Sequence, residues 1–259
     1  MSLVFSAICP HTSLLIPSVA KDNFEKLKNT KNSFEILEKE LYISKAQILI
    51  IILNNKKNTY FTLNAHNNFD ANFKDFGEHE LKKEWQGANN FSSLIKEKAN
   101  TKIKLNINSK LDNNLAIPLL FLTQNLKNIK ILPIETANLS KKEFLDFGKE
   151  LKKIFNKSSK RIAVIATGNM SHSLETKSPA GYTKEGKEYN EKIIELLESH
   201  NSIGVANLDN NFIKNSNESN YYSLFLLLGV IQNINYEFKN LSYEAPFGVG
   251  YLTGFFDFK

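Results

Sequence analysis

Two histidines and one glutamate stand where strand-like segments end or a helix-like segment begins, and such residues can bind a metal ion. His11 comes just after the first apolar run of the chain, and His172 follows another such run after a short turn. Glu218 precedes the apolar segment 221–231. Two histidines and a carboxylate form the facial triad that holds non-haem Fe(II). Because imidazole titrates near neutral pH, His172 could instead act as an acid or base.

Each of these residues also has a plain structural interpretation. His11 is compatible with a hydrogen-bonded loop histidine, and Glu218 with an acid favoured by the dipole of the helix that follows it. Ser171, next to His172, raises a serine-hydrolase alternative. However, the chain has no Gly-x-Ser-x-Gly motif, and sequence neighbours rarely have the geometry of nucleophile and base. Three further histidines in polar surroundings are most simply surface residues: His66, His79 and His200.

The elements that must position these residues alternate between strands and helices. Short apolar, β-branched segments predict strands at 3–9, 47–53, 60–63, 102–107, 129–134 and 161–167. Helix-like patterns cover residues 22–41, 115–125, 141–155, 186–200 and 221–231, and an antiparallel pair is predicted at 235–241 and 248–258. The chain is therefore predicted to be an α/β protein, a single domain over residues 1–259. We expect a three-layer α/β/α sandwich with a mixed, mostly parallel central sheet and a C-terminal antiparallel strand pair.

The composition restricts the class of partner. A net charge of +6 raises the question of nucleic acid, but Arg161 is the only arginine and the lysines are mixed with acids, so no nucleic-acid partner is expected. The longest apolar runs are too short to span a bilayer, so no membrane partner is expected either. Cys9 is the only cysteine, which excludes an internal disulfide and fits a cytoplasmic location.

Six segments, taken in order, resemble the class III extradiol ring-cleavage dioxygenases, in particular proteins like the β subunit of protocatechuate 4,5-dioxygenase (LigB-like). The resemblance extends to a branch related to the Memo proteins. The matching segments are ICPHTSLLIP at 8–17, LDNNLAIPL at 111–119, TGNMSHSL at 167–174, GYTKEGKEYNEKI at 181–193, ESNYYSLFLLLGVI at 218–231 and LSYEAPFGVGYLTGFF at 241–256. They span almost the whole chain.

The resemblance implies a cofactor, a reaction and roles for three residues. Members of this family hold Fe(II) with two histidines and a glutamate and insert dioxygen into a catechol-type or aminophenol ring. On this chain the first histidine ligand falls on His11, the glutamate ligand on Glu218 and the acid–base histidine on His172. A small aromatic substrate is expected if the chain is active.

Three departures from the family pattern fall on asparagines. Asn55 stands where the second histidine ligand is expected at the end of a strand. Asn113 replaces a histidine, and Asn169 a carboxylate, that would support the site from behind the ligands. An amide oxygen is a weaker donor than imidazole, so we expect Asn55 to weaken Fe(II) binding. His66 is a substitute ligand only if its segment folds back to that strand end.

Two functions of different classes therefore stay open at this point. The first is a non-haem iron dioxygenase with an altered metal site. The second is a catalytically degenerate member, or pseudoenzyme, that acts as a binding or partner subunit, either as a homodimer or paired with a related subunit. A different metal or redox role, as proposed for Memo-like relatives, is a further option. Retention of His11, Glu218 and His172 favours a surviving pocket in every case.

Overall fold

The protein, described by a computed structural model over residues 2–259, is built around one mixed β-sheet. Its strands are β1 (Leu3–Cys9), β2 (Ile48–Leu53), β3 (Phe61–Asn64), β4 (Asn68–Phe73), β5 (Glu78–Gln86), β6 (Ile103–Asn106), β7 (Lys130–Glu135), β8 (Ile162–Thr167), β9 (Tyr236–Glu244) and β10 (Tyr251–Phe258). Eight of them form a sheet in the order β6-β3-β7-β2-β8-β1-β10-β9, and β4 pairs with β5 as a separate ribbon.

Helices connect these strands and lie on both faces of the sheet. They are α1 (Pro17–Ala20), α2 (Lys28–Ile43), α3 (Asn89–Lys98), α4 (Asn113–Leu122), α5 (Lys141–Asn156), α6 (Lys184–Glu198), α7 (Ser202–Ala206), α8 (Asn210–Asn215) and α9 (Tyr221–Ile231). Short 3-10 turns occupy Ser13–Leu15, Lys21–Leu27 and Lys74–Phe76. Within residues 2–259, no helix combines the length and the apolar character needed to cross a lipid bilayer.

Strand β2 shows why the central strands are apolar at every position. All six of its residues are buried. Ile48, Ile50 and Ile52 pack into a core with residues of α5, α6 and α9, whereas Leu49 and Ile51 pack into a second core with residues of α2 and α4. Successive side chains of a strand point to opposite faces, so a strand with a core on each face needs an unbroken apolar sequence.

The predicted three-layer α/β/α sandwich with a mixed, mostly parallel sheet is confirmed. Four neighbouring strand pairs are parallel: β1–β8, β2–β7, β2–β8 and β3–β6. The C-terminal antiparallel pair, β9 with β10, is also present. The sequence pattern does not predict the ribbon β4–β5 or the helices α3, α7 and α8. The assignment of residues 1–259 to a single domain stays a prediction.

The predicted helix at 22–41 is wrong in its first turns. The chain forms the 3-10 turn Lys21–Leu27 there, and the α-helix begins at Lys28. Lys21 has a positive φ of 50°, and Leu27 leaves the helical region with φ −115°. A regular helix cannot pass through either conformation, because both lie outside the right-handed helical region.

The four central strands end level with one another, and this alignment creates the candidate site. The register pairs Cys9 with Thr167, Leu53 with the same Thr167, and Leu53 with Glu135. Whatever follows each of these strands therefore meets at one edge of the sheet. This carboxyl edge is where open α/β sheets bind ligands.

Candidate functional site

The turn after β8 is joined by backbone hydrogen bonds to three segments that are distant in sequence. The bonds run from the N–H of Gly168 to Cys9 (3.1 Å), from Ser219 to Asn169 (3.1 Å), from Met170 to Gly250 (2.9 Å) and from Gly250 to Ser171 (2.9 Å). The exit of β1, the turn before α9 and the start of β10 thus surround one turn. The polar residues that these segments carry form a cluster at the carboxyl edge of the sheet.

Gly168 permits the closest of these approaches. A Cβ atom at this position would lie 2.5 Å from the carbonyl oxygen of Ser219 and 2.6 Å from the Cα of Asn220. Real Cβ atoms do not approach other heavy atoms so closely, so only glycine fits without moving the turn before α9. That turn carries Glu218, which the contact brings to the end of β8.

His11 enters the cluster through both its backbone and its ring. Its N–H donates to Oδ1 of Asn169 at 3.1 Å, and its ring Nε2 lies 3.4 Å from the hydroxyl of Ser219. The other ring nitrogen, Nδ1, is buried and has no hydrogen-bond partner within residues 2–259. Burial, reinforced by the nearby charge that His172 would carry, lowers the pKa of His11 to about 3. His11 is therefore a neutral imidazole at physiological pH.

His172 lies in the segment that follows this turn and is also held by its backbone. Its N–H donates to the carbonyl of Asn217 at 3.1 Å, and its own carbonyl accepts from Ala180 at 3.2 Å. Burial lowers its pKa, which favours the neutral ring. Its Nε2 is buried and, in the part of the chain that the structure describes, has no partner. His11 and His172 thus each contribute to the cluster one buried ring nitrogen that has no hydrogen-bond partner within residues 2–259.

Glu218 is buried at the start of α9, and both of its carboxylate oxygens are already bonded. Oε1 accepts from the ammonium of Lys56 at 2.9 Å, and Oε2 accepts from the backbone N–H of Tyr221 at 2.5 Å. The glutamate side chain has 0% exposure, whereas the lysine side chain is 46% exposed. The ammonium also lies 5.4 Å from the centre of the Tyr222 ring. This carboxylate therefore accepts the first backbone N–H of α9 and forms an ion pair with a cation of the chain itself.

Asn55 faces away from this carboxylate. Its Nδ2 donates to Oε2 of Glu135 at 2.7 Å, and its Oδ1 accepts the N–H of Lys57 at 3.1 Å. Asn58 donates to the same oxygen of Glu135 at 2.9 Å. The amide that stands at the expected ligand position is thus engaged with the end of β7, on the side of β2 opposite β8.

Of the three remaining sequence candidates, one lies in the cluster and two lie outside it. Asn169 belongs to it through its bond to His11. Asn113 begins α4, behind the N-cap Asp112, and its side chain has no hydrogen bond to the cluster within the described residues 2–259. The ring of His66 bonds the carbonyl of Asn68 in the turn before β4, so His66 does not fold back to Asn55.

The serine-hydrolase alternative finds no support in the geometry. The hydroxyl of Ser171 is buried and accepts the N–H of Ser173 at 3.0 Å. A Cβ atom at Gly186 would lie 2.6 Å from that hydroxyl, so α6 closes over it. A nucleophilic serine must be exposed and paired with a base. Ser171 instead shapes the turn that carries His172.

The residues of this cluster do not fit an iron ion held by two histidines and a carboxylate. The second histidine is absent, and the asparagine in its place is bonded elsewhere. Glu218 has both oxygens engaged, one of them by a positive charge. In the described chain, residues 2–259, no three His, Cys, Asp or Glu side chains are grouped closely enough to hold a metal ion.

Sequence reasoning does not identify three residues that define the cluster: Lys56, Ser219 and Glu135. Lys56 and Glu218 are 162 positions apart, and no local pattern joins them. The only available signal is the place of Lys56, directly after the asparagine that replaces a histidine. Glu135 follows from the strand register, which becomes known only with the fold.

Comparisons with known proteins agree with this architecture. The family model described as "Catalytic LigB subunit of aromatic ring-opening dioxygenase" matches residues 6–255. "Protein CA_C1420" of Clostridium acetobutylicum is 28% identical over 265 residues, an alignment that covers 97% of this chain and 57% of that protein. The chain therefore spans little more than half the length of this relative.

Solved structures share the fold, and one of them matches almost the whole chain. It is described as "Crystal structure of uncharacterized protein JW3007 from Escherichia coli K12" and superposes with a TM-score of 0.66. The match covers 97% of this chain and 99% of that one, at 13% sequence identity. At this identity the likeness is evidence for the fold alone.

Proposed function

This chain belongs to the family of the catalytic LigB subunit of aromatic ring-opening dioxygenase, and from that premise we propose that it is a metal-independent member that acts as a binding or partner subunit. One observation carries the proposal: the ammonium of Lys56 lies 2.9 Å from the carboxylate of Glu218. The ammonium of Lys56 thus balances the negative charge of Glu218, the glutamate that the family is expected to use for its metal. The site thus satisfies its buried charge without an added ion.

The cluster retains groups that suit a small polar ligand. A neutral imidazole donates from one ring nitrogen and accepts at the other. His11 and His172 each keep one buried ring nitrogen free of any partner among residues 2–259. A small aromatic molecule with ring hydroxyls could bond to both. In this proposal the two histidines bind the ligand and hold its hydroxyl protons, and no oxidation follows.

A partner role is consistent with the length of the relative. The matched region is 57% of the Clostridium acetobutylicum protein, so a domain of this type also occurs within a longer chain. We therefore include in the proposal that this chain works beside another protein unit, either a second copy or a related subunit.

The second candidate is an iron-dependent dioxygenase acting on a catechol-type or aminophenol ring, with an altered metal site. The observation in its favour is a pair of buried ring nitrogens, Nδ1 of His11 and Nε2 of His172, that have no hydrogen-bond partner among the described residues 2–259. Imidazole nitrogens without partners are what a metal or a polar ligand would use. Metal binding separates the two candidates.

The test is Fe(II) binding by the anaerobically purified protein, with the His11→Ala variant beside it. We expect wild type to retain only substoichiometric iron after dialysis, at a level that His11→Ala does not change. Oxygen uptake with catechol and 2-aminophenol should equal that of the buffer. Near-stoichiometric iron that depends on His11, or ring-dependent oxygen uptake, would refute the proposal and establish the second candidate.

A further inference from the structure

We infer that Lys56 lowers the affinity of this site for divalent metal ions, because its tethered ammonium takes the place of a divalent cation at Glu218. The inference rests on the proposed function and adds a cause to it. Asn55 in place of a histidine accounts only for weaker metal binding. The ion pair between Lys56 and Glu218 accounts for the exclusion of the metal, because it occupies the carboxylate that would bind it.

The fold gives Lys56 a direct route to Glu218. Strand β2 lies next to β8, and α9 packs against both of these strands. Lys56 follows β2 by three residues, so its side chain reaches over the end of β8 to the turn before α9. There its ammonium bonds Oε1 of Glu218 and lies over the ring of Tyr222. The ring supplies a second attraction for the same cation.

A divalent ion at Glu218 would have to displace this ammonium. Both cations need the same oxygen, and the two positive charges repel each other in a partly dry site. Because Lys56 is tethered three residues after β2, it competes at a high effective concentration that dilution of the protein does not reduce. The 46% exposure of its side chain leaves it a path to water, so the exclusion is a competition, and its strength can be measured.

Restoring the histidine at position 55 is therefore insufficient by itself. An imidazole there would lose the bond from Asn55 to Glu135 and would still lie beside the lysine. We expect Asn55→His alone to gain little affinity for metal. Asn55→His combined with Lys56→Met should gain much more, since only then is the carboxylate of Glu218 free.

The experiment titrates Co(II), a spectroscopic probe with visible absorption, into wild type, Asn55→His, Lys56→Met and the double variant. Lys57→Met in the Asn55→His background is the matched control, because it removes the neighbouring charge from an exposed side chain. Lys56→Gln is a second substitution in case methionine impairs folding, and urea unfolding identifies the folded variants. We expect the double variant to bind Co(II) at least about tenfold more tightly than Asn55→His, the effect of about 1.4 kcal/mol.

The control should match Asn55→His within a factor of about two, well inside the tenfold step that 1.4 kcal/mol represents. Equal affinities of Asn55→His and the double variant, or an equal gain from Lys57→Met, would overturn the inference while the proposed function stands. Stoichiometric binding by wild type would instead overturn the proposed function itself. The two failures are therefore distinguishable in one set of titrations.

Discussion

Replacing Lys56 with methionine should destabilise the fold, because it leaves a buried carboxylate without its cation. The side chain of Glu218 has 0% exposure, so its charge cannot be solvated in place. Methionine retains most of the unbranched stem of lysine, so the substitution removes mainly the charge. The backbone N–H of Tyr221 remains as the only other hydrogen-bond donor to this carboxylate within residues 2–259.

The chain contains a second lysine–glutamate pair with the same separation and a similarly exposed lysine, but its glutamate is exposed and both residues lie three positions apart in α6. Lys192 and Glu195 also lie 2.9 Å apart, with side-chain exposures of 44% and 64%. Exposed pairs of this kind couple by about 0.2–1 kcal/mol. Breaking a fully buried pair costs about 3–5 kcal/mol. With one partner buried and the other half-exposed, we expect Lys56 and Glu218 to couple by about 1–3 kcal/mol.

Two double-mutant cycles measured by urea unfolding test this magnitude. One combines Lys56→Met with Glu218→Gln, and the other combines Lys192→Met with Glu195→Gln. Both cycles are repeated in about 1 M salt, where the Debye length is about 3 Å. The salt should remove the coupling between Lys192 and Glu195 and leave most of the coupling between Lys56 and Glu218. A coupling between Lys56 and Glu218 no larger than that of the control pair would refute the reasoning.

Two further predictions concern the framework of the cluster. His11 has a folded-state pKa of about 3 against 6.5 when unfolded, so its contribution to stability is complete above pH 6.5 and is lost between pH 6.5 and 3. Between about pH 7.5 and 5, the free energy of unfolding of His11→Gln should fall by about 2 kcal/mol less than that of wild type, as measured by urea titration at each pH. Parallel pH profiles of the two proteins would contradict this. Gly168→Ala should destabilise by about 1–3 kcal/mol more than Gly181→Ala, since both have positive φ but only Gly168 lies against the turn before α9. Equal losses in Tm would show that the close contact is relaxed at no cost.

The sequence correctly predicts the strands that are buried on both faces, because all of their residues lie in the same apolar environment. Strands β2 and β8 are covered on both faces, so ILIIIL and IAVIAT carry the unbroken apolar pattern of a buried strand. The ribbon strand β5, EHELKKEWQ, packs through a few positions such as Trp85 while the rest is exposed or half-exposed. Its pattern is therefore weak, and local reasoning does not find it.

The candidate site divides in the same way. His11 and the turn after β8 are predictable because each follows an apolar strand, and the carboxyl ends of parallel strands share an edge. The destination of a long side chain is not predictable from local sequence. Lys56 reaches Glu218 only because β2 and β8 are neighbours, and Asn55 turns to Glu135 only because β2 and β7 end level.

The charge on Glu218 links the asparagine at position 55 to the lysine that follows it. A carboxylate with no exposure at the mouth of a helix needs a cation, and a metal ion or an ammonium can each supply one. Where a neutral amide replaces a metal-binding imidazole, the metal is held less tightly, so the carboxylate is more often without a counter-ion. A lysine one residue further on supplies a permanent counter-ion and also lowers the metal affinity further. The two positions therefore act as one unit, and replacing either residue recovers its full share of metal affinity only when the other is replaced as well.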